Sequence, residues 1–384
     1  YYFICKYKTY RESGKMNVLF LTVSTGQGHT SCGKALETCL IKGGASTYFL
    51  DLYSYIHPFL GKAISEIYLL ASGKTPKLYG KYYDKEDFGR GKVMNVVSNF
   101  NRIIKSDIIK YIKANKIDVV ICTHLFSGQV MTLIKDVVNT VNIGIVTDYT
   151  IHPKWEMTSL DYYVLADASL DYLAKKKGLP EDRLLPFGIP VDLKFAQKHD
   201  KSEMRKKLGF SNGNLIFVMM GSMGYGNIGE ILNEIEQSGI KCEVAVVCGN
   251  NKKAKIMVEN NPHKFRCHCY GFVNNVDEFM DAADCIITKP GGLSVTESLA
   301  KKLPMIFVDP IPGQEDRNVE FLVNNGVGLN VSKSFCLASA LHLFFDSEIR
   351  RKEINEAIAR ISKPYAAEKL CDFIFNLEEV KDRI

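Results

Sequence analysis

No apolar run in the 384 residues approaches the ~18 to 20 that a membrane-spanning helix requires, so any contact with a bilayer is expected to be peripheral. Residues 1–15 lack the apolar core of a secretory signal and precede Met16, which opens directly into the strand-like run from Asn17. They read as an upstream extension. No C-x-x-C pair occurs, although the chain holds 11 cysteines. Several of these, Cys122, Cys248 and Cys285, sit in apolar strand-like runs, where a thiol behaves as a small hydrophobe. That pattern excludes a disulfide framework and points to reducing cytosol. Cys267-His268-Cys269 has no partner pair elsewhere, and neighbours on a strand face opposite ways, which argues against zinc. Tryptophan occurs once, at Trp155.

What is present is ordinary for a globular protein: 46% hydrophobic and 24% charged residues. The length implies two domains rather than one core. The net charge of +6 is concentrated between Ser54 and Lys113, where eleven Lys or Arg stand against five acids. Tyr53, Tyr55, Phe59, Tyr68, Tyr79, Tyr82, Tyr83 and Phe88 lie in the same stretch. Lysines among tyrosines suit an anionic membrane surface, with Lys77, Lys81 and Lys85 as the expected docking residues; a solvated helix face is the plain alternative. No nucleic-acid motif accompanies the charge, so no nucleic-acid partner is expected.

From Met16 onward, short β-rich runs alternate with helix-period segments, the pattern of βαβ units and parallel sheets. Strands are expected at Val18 to Val23, Thr47 to Leu50, Val119 to Cys122, Ile143 to Val146 and Tyr162 to Leu165. A second series follows at Leu215 to Met220, Glu243 to Val247, Arg266 to Phe272, Cys285 to Ile287 and Met305 to Val308. Periodicity lapses at Pro186-Phe187-Gly188-Ile189-Pro190, where proline and glycine interrupt helix and ladder alike. The expected division is a first domain over 16–190, a second over 191–364 and a final helix over 365–384. The fold class is α/β, with two Rossmann-like domains.

Three segments carry chemistry. Ile286 to Asn318 joins a strand, a Gly291-Gly292 turn, a helix bearing Glu297, a second strand and the loop Pro312-Gly313-Gln314-Glu315. The exposed amides of such a turn suit a phosphate, Glu297 suits ribose hydroxyls, and Gln314 with Glu315 suit a sugar. Near the start, Ser24-Thr25-Gly26-Gln27-Gly28-His29 places His29 at a helix start on the carboxyl edge of the sheet. A histidine there is able to take a proton from a hydroxyl. Thr147-Asp148 ends another strand of that sheet, and His152 and Trp155 follow on its loop. Asp148 reads either as the base or as the group that orients His29. Gly221-Ser222-Met223-Gly224 after Met220 offers further amides to a diphosphate.

K-P-G-G-L-S-V-T-E-S-L-A, P-G-Q-E-D-R-N, S-T-G-Q-G-H and T-D-Y-T-I-H-P-K-W resemble glycosyltransferase family 28. Within it the chain is similar to the branch of monogalactosyldiacylglycerol synthases and processive diacylglycerol glucosyltransferases. The resemblance implies the GT-B architecture, two Rossmann-like domains facing across a cleft with the C-terminal helix crossing back to the first. It implies a donor site of Gly221, Ser222, Gly224, Phe272, Val273, Gly291, Gly292, Glu297, Gln314 and Glu315, with Phe272-Val273 meeting the uracil. It places Gly28, His152 and Trp155 on the acceptor side. The family's first loop is usually richer in glycine, Gln27 being the departure.

The expected reaction is inverting transfer of glucose or galactose from a UDP-sugar to diacylglycerol, with His29 or Asp148 as base, at the inner face of the cell membrane. No D-x-D occurs, so no dedicated metal site and no required cofactor are expected; helix ends and amides would stabilise the leaving UDP. Two other readings stay open: MurG-like N-acetylglucosamine transfer to a polyprenyl-linked precursor, which the P-G-Q-E loop disfavours, and a non-catalytic UDP-sugar sensor. Neither the hexose, nor the number of sugars added, nor the oligomeric state follows from the sequence.

Overall fold

The computed structural model describes residues 16–23, 27–56, 94–221, 224 and 226–377. Lys77, Lys81, Lys85, Ser222 and Ser24, Thr25 and Gly26 of the first loop lie outside the described residues.

Two parallel six-stranded sheets form the frame. The first contains β1 (Asn17–Thr22), β2 (Ser46–Asp51), β3 (Val119–Cys122), β4 (Val141–Ile145), β5 (Tyr162–Val164) and β6 (Leu184–Leu185), in the order β2-β1-β3-β4-β5-β6. The second contains β7 (Asn214–Met219), β8 (Cys242–Val247), β9 (Arg266–Tyr270), β10 (Cys285–Thr288), β11 (Met305–Phe307) and β12 (Gly328–Asn330), in the order β12-β11-β10-β7-β8-β9. The central strands read as continuous apolar runs because helices cover both faces: Val18 to Leu21, Val119 to Cys122 and Ile216 to Val218 are wholly buried. Ten strands fall within two residues of the expected ones. β6 and β12, at two and three residues, are too short to show a period.

Strand order reverses where β1 meets β3 and where β7 meets β10. Ligand crevices in open α/β sheets lie outside the carboxyl ends of the strands at such points. His29, Gly221 and Gly291 follow strand ends there, and Asp148 follows the end of β4 beside β3, so the topology alone gathers residues that are far apart in sequence.

The last helix, Ala366–Phe375, packs on the first, Gln27–Lys42. Its Phe373 ring lies against Tyr162 and Phe187, at 4.9 and 5.7 Å between centroids. Gly43 makes room for Phe375: a Cβ there would sit 2.3 Å from its ring. Lys363 Nζ ties the crossing segment to the first domain through Asp167 Oδ2 at 2.9 Å and the carbonyls of Ala166 and Pro186, each at 3.2 Å. The GT-B arrangement, including the returning helix, is therefore observed.

Trp155 is a core residue. Only 4% exposed, it fills space left by Gly128 and Gly144, where added Cβ atoms would lie 3.2 and 3.0 Å from its ring. It packs edge-on to Tyr163. Trp155, expected on the acceptor side, is thus corrected to packing beneath β4.

Candidate active site

A cavity of about 530 Å³ lies between the two sheets, lined from both sides. Gly28, His29, Thr147 and Asp148 come from the first domain, and Gly221, Phe272, Val273, Gly291, Gly292, Glu297, Gln314 and Glu315 from the second. All expected cleft residues that the structure describes, apart from Gly224, His152 and Trp155, meet in this one space.

His29 is half-buried in the first turn of its helix. Its Nδ1 is 2.8 Å from the Thr123 carbonyl and 3.1 Å from Thr147 Oγ1. A carbonyl oxygen only accepts, so Nδ1 carries the proton and Nε2 keeps its lone pair. Burial holds the imidazole below its ordinary pKa, with Asp148 and the Thr123 carbonyl opposing. A neutral imidazole with one free lone pair is the form a general base requires.

Asp148 bridges the domains. Gln314 Nε2 donates to its Oδ2 at 2.5 Å and Asn318 Nδ2 to its Oδ1 at 3.1 Å. Burial raises its pKa, while Asn318, His29 and Gln314 oppose the rise. Gln314 is therefore engaged with the first domain while still lining the cleft. Glu315 Oε2 accepts from the Ile311 amide at 2.7 Å, and its pKa is raised by burial, with Lys289 opposing.

Glu297 has no protein hydrogen-bond donor on its carboxylate among the described residues, and it lines the cleft. Burial pushes its pKa up to about 8; Lys194 lowers it, and Asp192 and Asp277 add to the rise. An unpaired carboxyl facing a cleft is suited to a ligand's hydroxyls. Phe272 and Val273 lie on the loop just after β9, Phe272 being 53% exposed.

The two glycine turns differ from their simplest reading. Gly221 adopts φ 75° and a Cβ there would meet nothing within 4 Å, so its backbone is open to the cleft. Gly224, at φ 61°, packs instead on the Cys248 carbonyl, which an added Cβ would approach to 2.1 Å. Gly291 caps the helix Gly292–Ala300 without a side-chain partner. Gly292 faces the other domain: its Cβ would sit 1.9 Å from the Thr147 carbonyl oxygen. Both backbones there are held in place, so Gly292→Ala is expected to pry the domains apart. A misplacement near 1 Å costs activity about 100-fold; a rise in radius of gyration by X-ray scattering, with secondary structure unchanged, checks the cause.

His152 accepts from the Lys154 amide at 3.1 Å and caps the short helix Pro153–Met157, the plain capping role. The sequence reading missed His124. It caps the helix Leu125–Ile134 and meets His29 edge-on at 4.7 Å. Its pKa is lowered well below 6.5 by burial, then by His29, His152 and Lys154. Its place two residues past β3 was the available signal. Asp192 and Lys194, from the interdomain connection, also line the cleft. His268 and Cys269 do face apart: His268 Nε2 is 3.0 Å from Glu243 Oε2, and Cys269 Sγ is 3.8 Å from Cys248 Sγ. A larger cavity, about 990 Å³, opens around Asp281 and Asp284, but Lys301, Lys201 and Arg205 already pair with those acids.

Residues 29–191 match the monogalactosyldiacylglycerol (MGDG) synthase family and residues 215–366 match the glycosyltransferase family 28 C-terminal domain. The chain belongs to glycosyltransferase family 28. It is 27% identical to a processive diacylglycerol beta-glucosyltransferase of Bacillus cereus (strain G9842) across 93% of this chain and 92% of the relative. Among solved structures, Acinetobacter baumannii MurG superposes with a TM-score of 0.61 at 16% identity, over 94% of this chain and 99% of MurG. Anabaena HepE in complex with UDP gives 0.56 at 11% identity, over 94% and 100%. These similarities show the GT-B fold, and the family shows a glycosyltransferase.

Proposed function

We propose that this enzyme moves a hexose from a UDP-sugar to diacylglycerol with inversion, giving a β-glycosyl diacylglycerol. The observation that carries the reading is the pairing of halves across one cleft. The half that matches the MGDG synthase family contributes His29 and Asp148. The family 28 donor half contributes Glu297 and the Gly291 helix start.

His29 Nε2 takes the acceptor hydroxyl's proton as that oxygen attacks the anomeric carbon. UDP leaves toward Gly221 and the amides at the start of Gly292–Ala300, where backbone dipoles offset the growing negative charge. Glu297 holds the ribose, and Phe272-Val273 the uracil. The chain needs no cofactor in this scheme. Asp148 steadies the imidazolium that forms.

Among the described residues no helix is long and apolar enough to cross a membrane. The acceptor lies in a bilayer, so the enzyme docks on an anionic surface from the cytoplasmic side, through the basic aromatic segment. Lys77→Glu, Lys81→Glu and Lys85→Glu together should weaken binding to anionic vesicles while leaving UDP affinity unchanged; co-sedimentation measures this, and unchanged vesicle binding places the docking surface elsewhere. The reaction itself is tested with labelled UDP-glucose and UDP-galactose on diacylglycerol vesicles. A labelled lipid product supports the proposal. Tight UDP binding with no lipid product from either donor sinks it in favour of a sensor.

A further inference from the structure

We infer that Asn318 is a positioning residue that couples closure of the two domains to the charge state of Asp148, an inference resting on the reading of Asp148 as partner of the base. Asn318 is fully buried on the helix Gln314–Asn324. Its Oδ1 accepts from the Tyr149 amide at 2.8 Å, and its Nδ2 donates to Asp148 Oδ1 at 3.1 Å and to the Pro290 carbonyl at 3.0 Å. A backbone amide only donates, and a carboxylate or carbonyl only accepts, so the carboxamide has one allowed orientation. Every bonding site of the side chain except one lone pair is used, two of the three bonds crossing to the first domain.

Gln314 stands one helical turn before Asn318 and reaches the other carboxylate oxygen. The two amides are not equivalent. Gln314 is half-exposed to the cleft and lines it, whereas Asn318 is sealed beneath and does not. Donor sugar entering the cleft competes for the Gln314 amide. It cannot reach Asn318, so one donor to Asp148 persists through the cycle. When the domains part, both bonds are lost together and Asp148 has no donor from the second domain. The base pair is thus assembled only in the closed enzyme.

The groups facing Asp148 limit how its titration is read. His29 faces it from the first helix, Glu315 from the helix that bears Asn318, and Tyr149 from its own loop. Burial favours the protonated acid, and the Asn318 bond opposes this. Removing that donor therefore moves Asp148 toward higher pKa, and the acidic limb of kcat/KM toward higher pH.

The full chain is assayed against pH as wild type, Asn318→Ala, Asn318→Ser and Tyr149→Phe. Tyr149→Phe deletes another interdomain bond, the 3.0 Å contact of its hydroxyl with Thr296 Oγ1, without touching the carboxylate. Asn318→Ala is expected to lower kcat about tenfold or more, with donor KM changed less than ~3-fold and the acidic limb moved up. Asn318→Ser, which keeps a donor and disturbs packing less, should lie between. Tyr149→Phe should lower Tm and leave the limb in place. An unmoved limb in both Asn318 variants, or an equal movement in Tyr149→Phe, reduces Asn318 to domain packing. Carbon-13 NMR of the Asp148 carboxyl, assigned by Asp148→Asn and recorded without substrates, reports the same upward movement whatever the enzyme transfers. A wild type that makes no glycolipid would overturn the substrate assignment and leave this titration intact.

Discussion

Replacing His29 with alanine should reduce kcat by about 10²- to 10⁴-fold, the range for loss of a positioned general base. Donor KM should hold, because His29 and the donor residues occupy opposite walls of the cleft. The pH profile gives the sharper check. Burial holds the imidazole below its ordinary value, so the wild-type base is neutral at pH 7 and is lost only as pH falls through that lowered pKa. The variant should lose the His29 step of the acidic limb along with the rate, leaving the step set by Asp148. Retention of near-wild-type kcat would transfer the base role to Asp148. His124 is the useful companion, since it touches the His29 ring but does not line the cleft.

The second large effect belongs to Glu297. At pH 9, where the carboxylate is charged, Glu297→Ala should raise donor KM about 10- to 100-fold, as expected for hydrogen bonds to a charged group, and leave vesicle binding unchanged. An unchanged KM removes Glu297 from the ribose site. Burial pushes the carboxyl up to about 8 in the folded protein from 4.5 for the free side chain. The folded state therefore holds a proton that the unfolded chain releases, and stability is lost as pH rises from 4.5 through about 8. At higher pH the buried charge costs on the order of 5 kcal/mol. Glu297→Gln should accordingly raise Tm at pH 9, leave it unchanged at pH 4, and still bind the donor poorly. Donor KM in the wild type should fall as pH rises past 8, when the carboxylate becomes a stronger acceptor. Thermal melts and donor titrations at three pH values test both.

The frame was legible because parallel strands buried on both faces must be apolar along their whole length, and Val18 to Leu21 or Ile216 to Val218 can be nothing else. Cleft residues were legible because each motif follows such a strand, and strand ends converge. Contacts between the domains were not. Gly292 reads as a phosphate turn in sequence, and only the 1.9 Å at which an added Cβ would meet the Thr147 carbonyl oxygen shows a second task. Trp155 was misplaced for the same reason: the hole it fills is made by Gly128 and Gly144, which lie outside its own motif. Asn318 closed the motif without an assigned role, since its partners Tyr149 and Asp148 are about 170 residues away.

The helix Ala366–Phe375 also bears on how the protein is made. The surface it covers, around Gly43, Tyr162 and Phe187, belongs to the half that leaves the ribosome first. Domains generally fold as units during synthesis, at about 5 to 20 residues per second. The first sheet is thus complete for some ten seconds or more before Phe373 and Phe375 exist to cap it, and its aromatic patch waits uncovered for that interval. Truncation before Ala366 would make the exposure permanent, so a shortened chain should aggregate in proportion to how fast it is expressed.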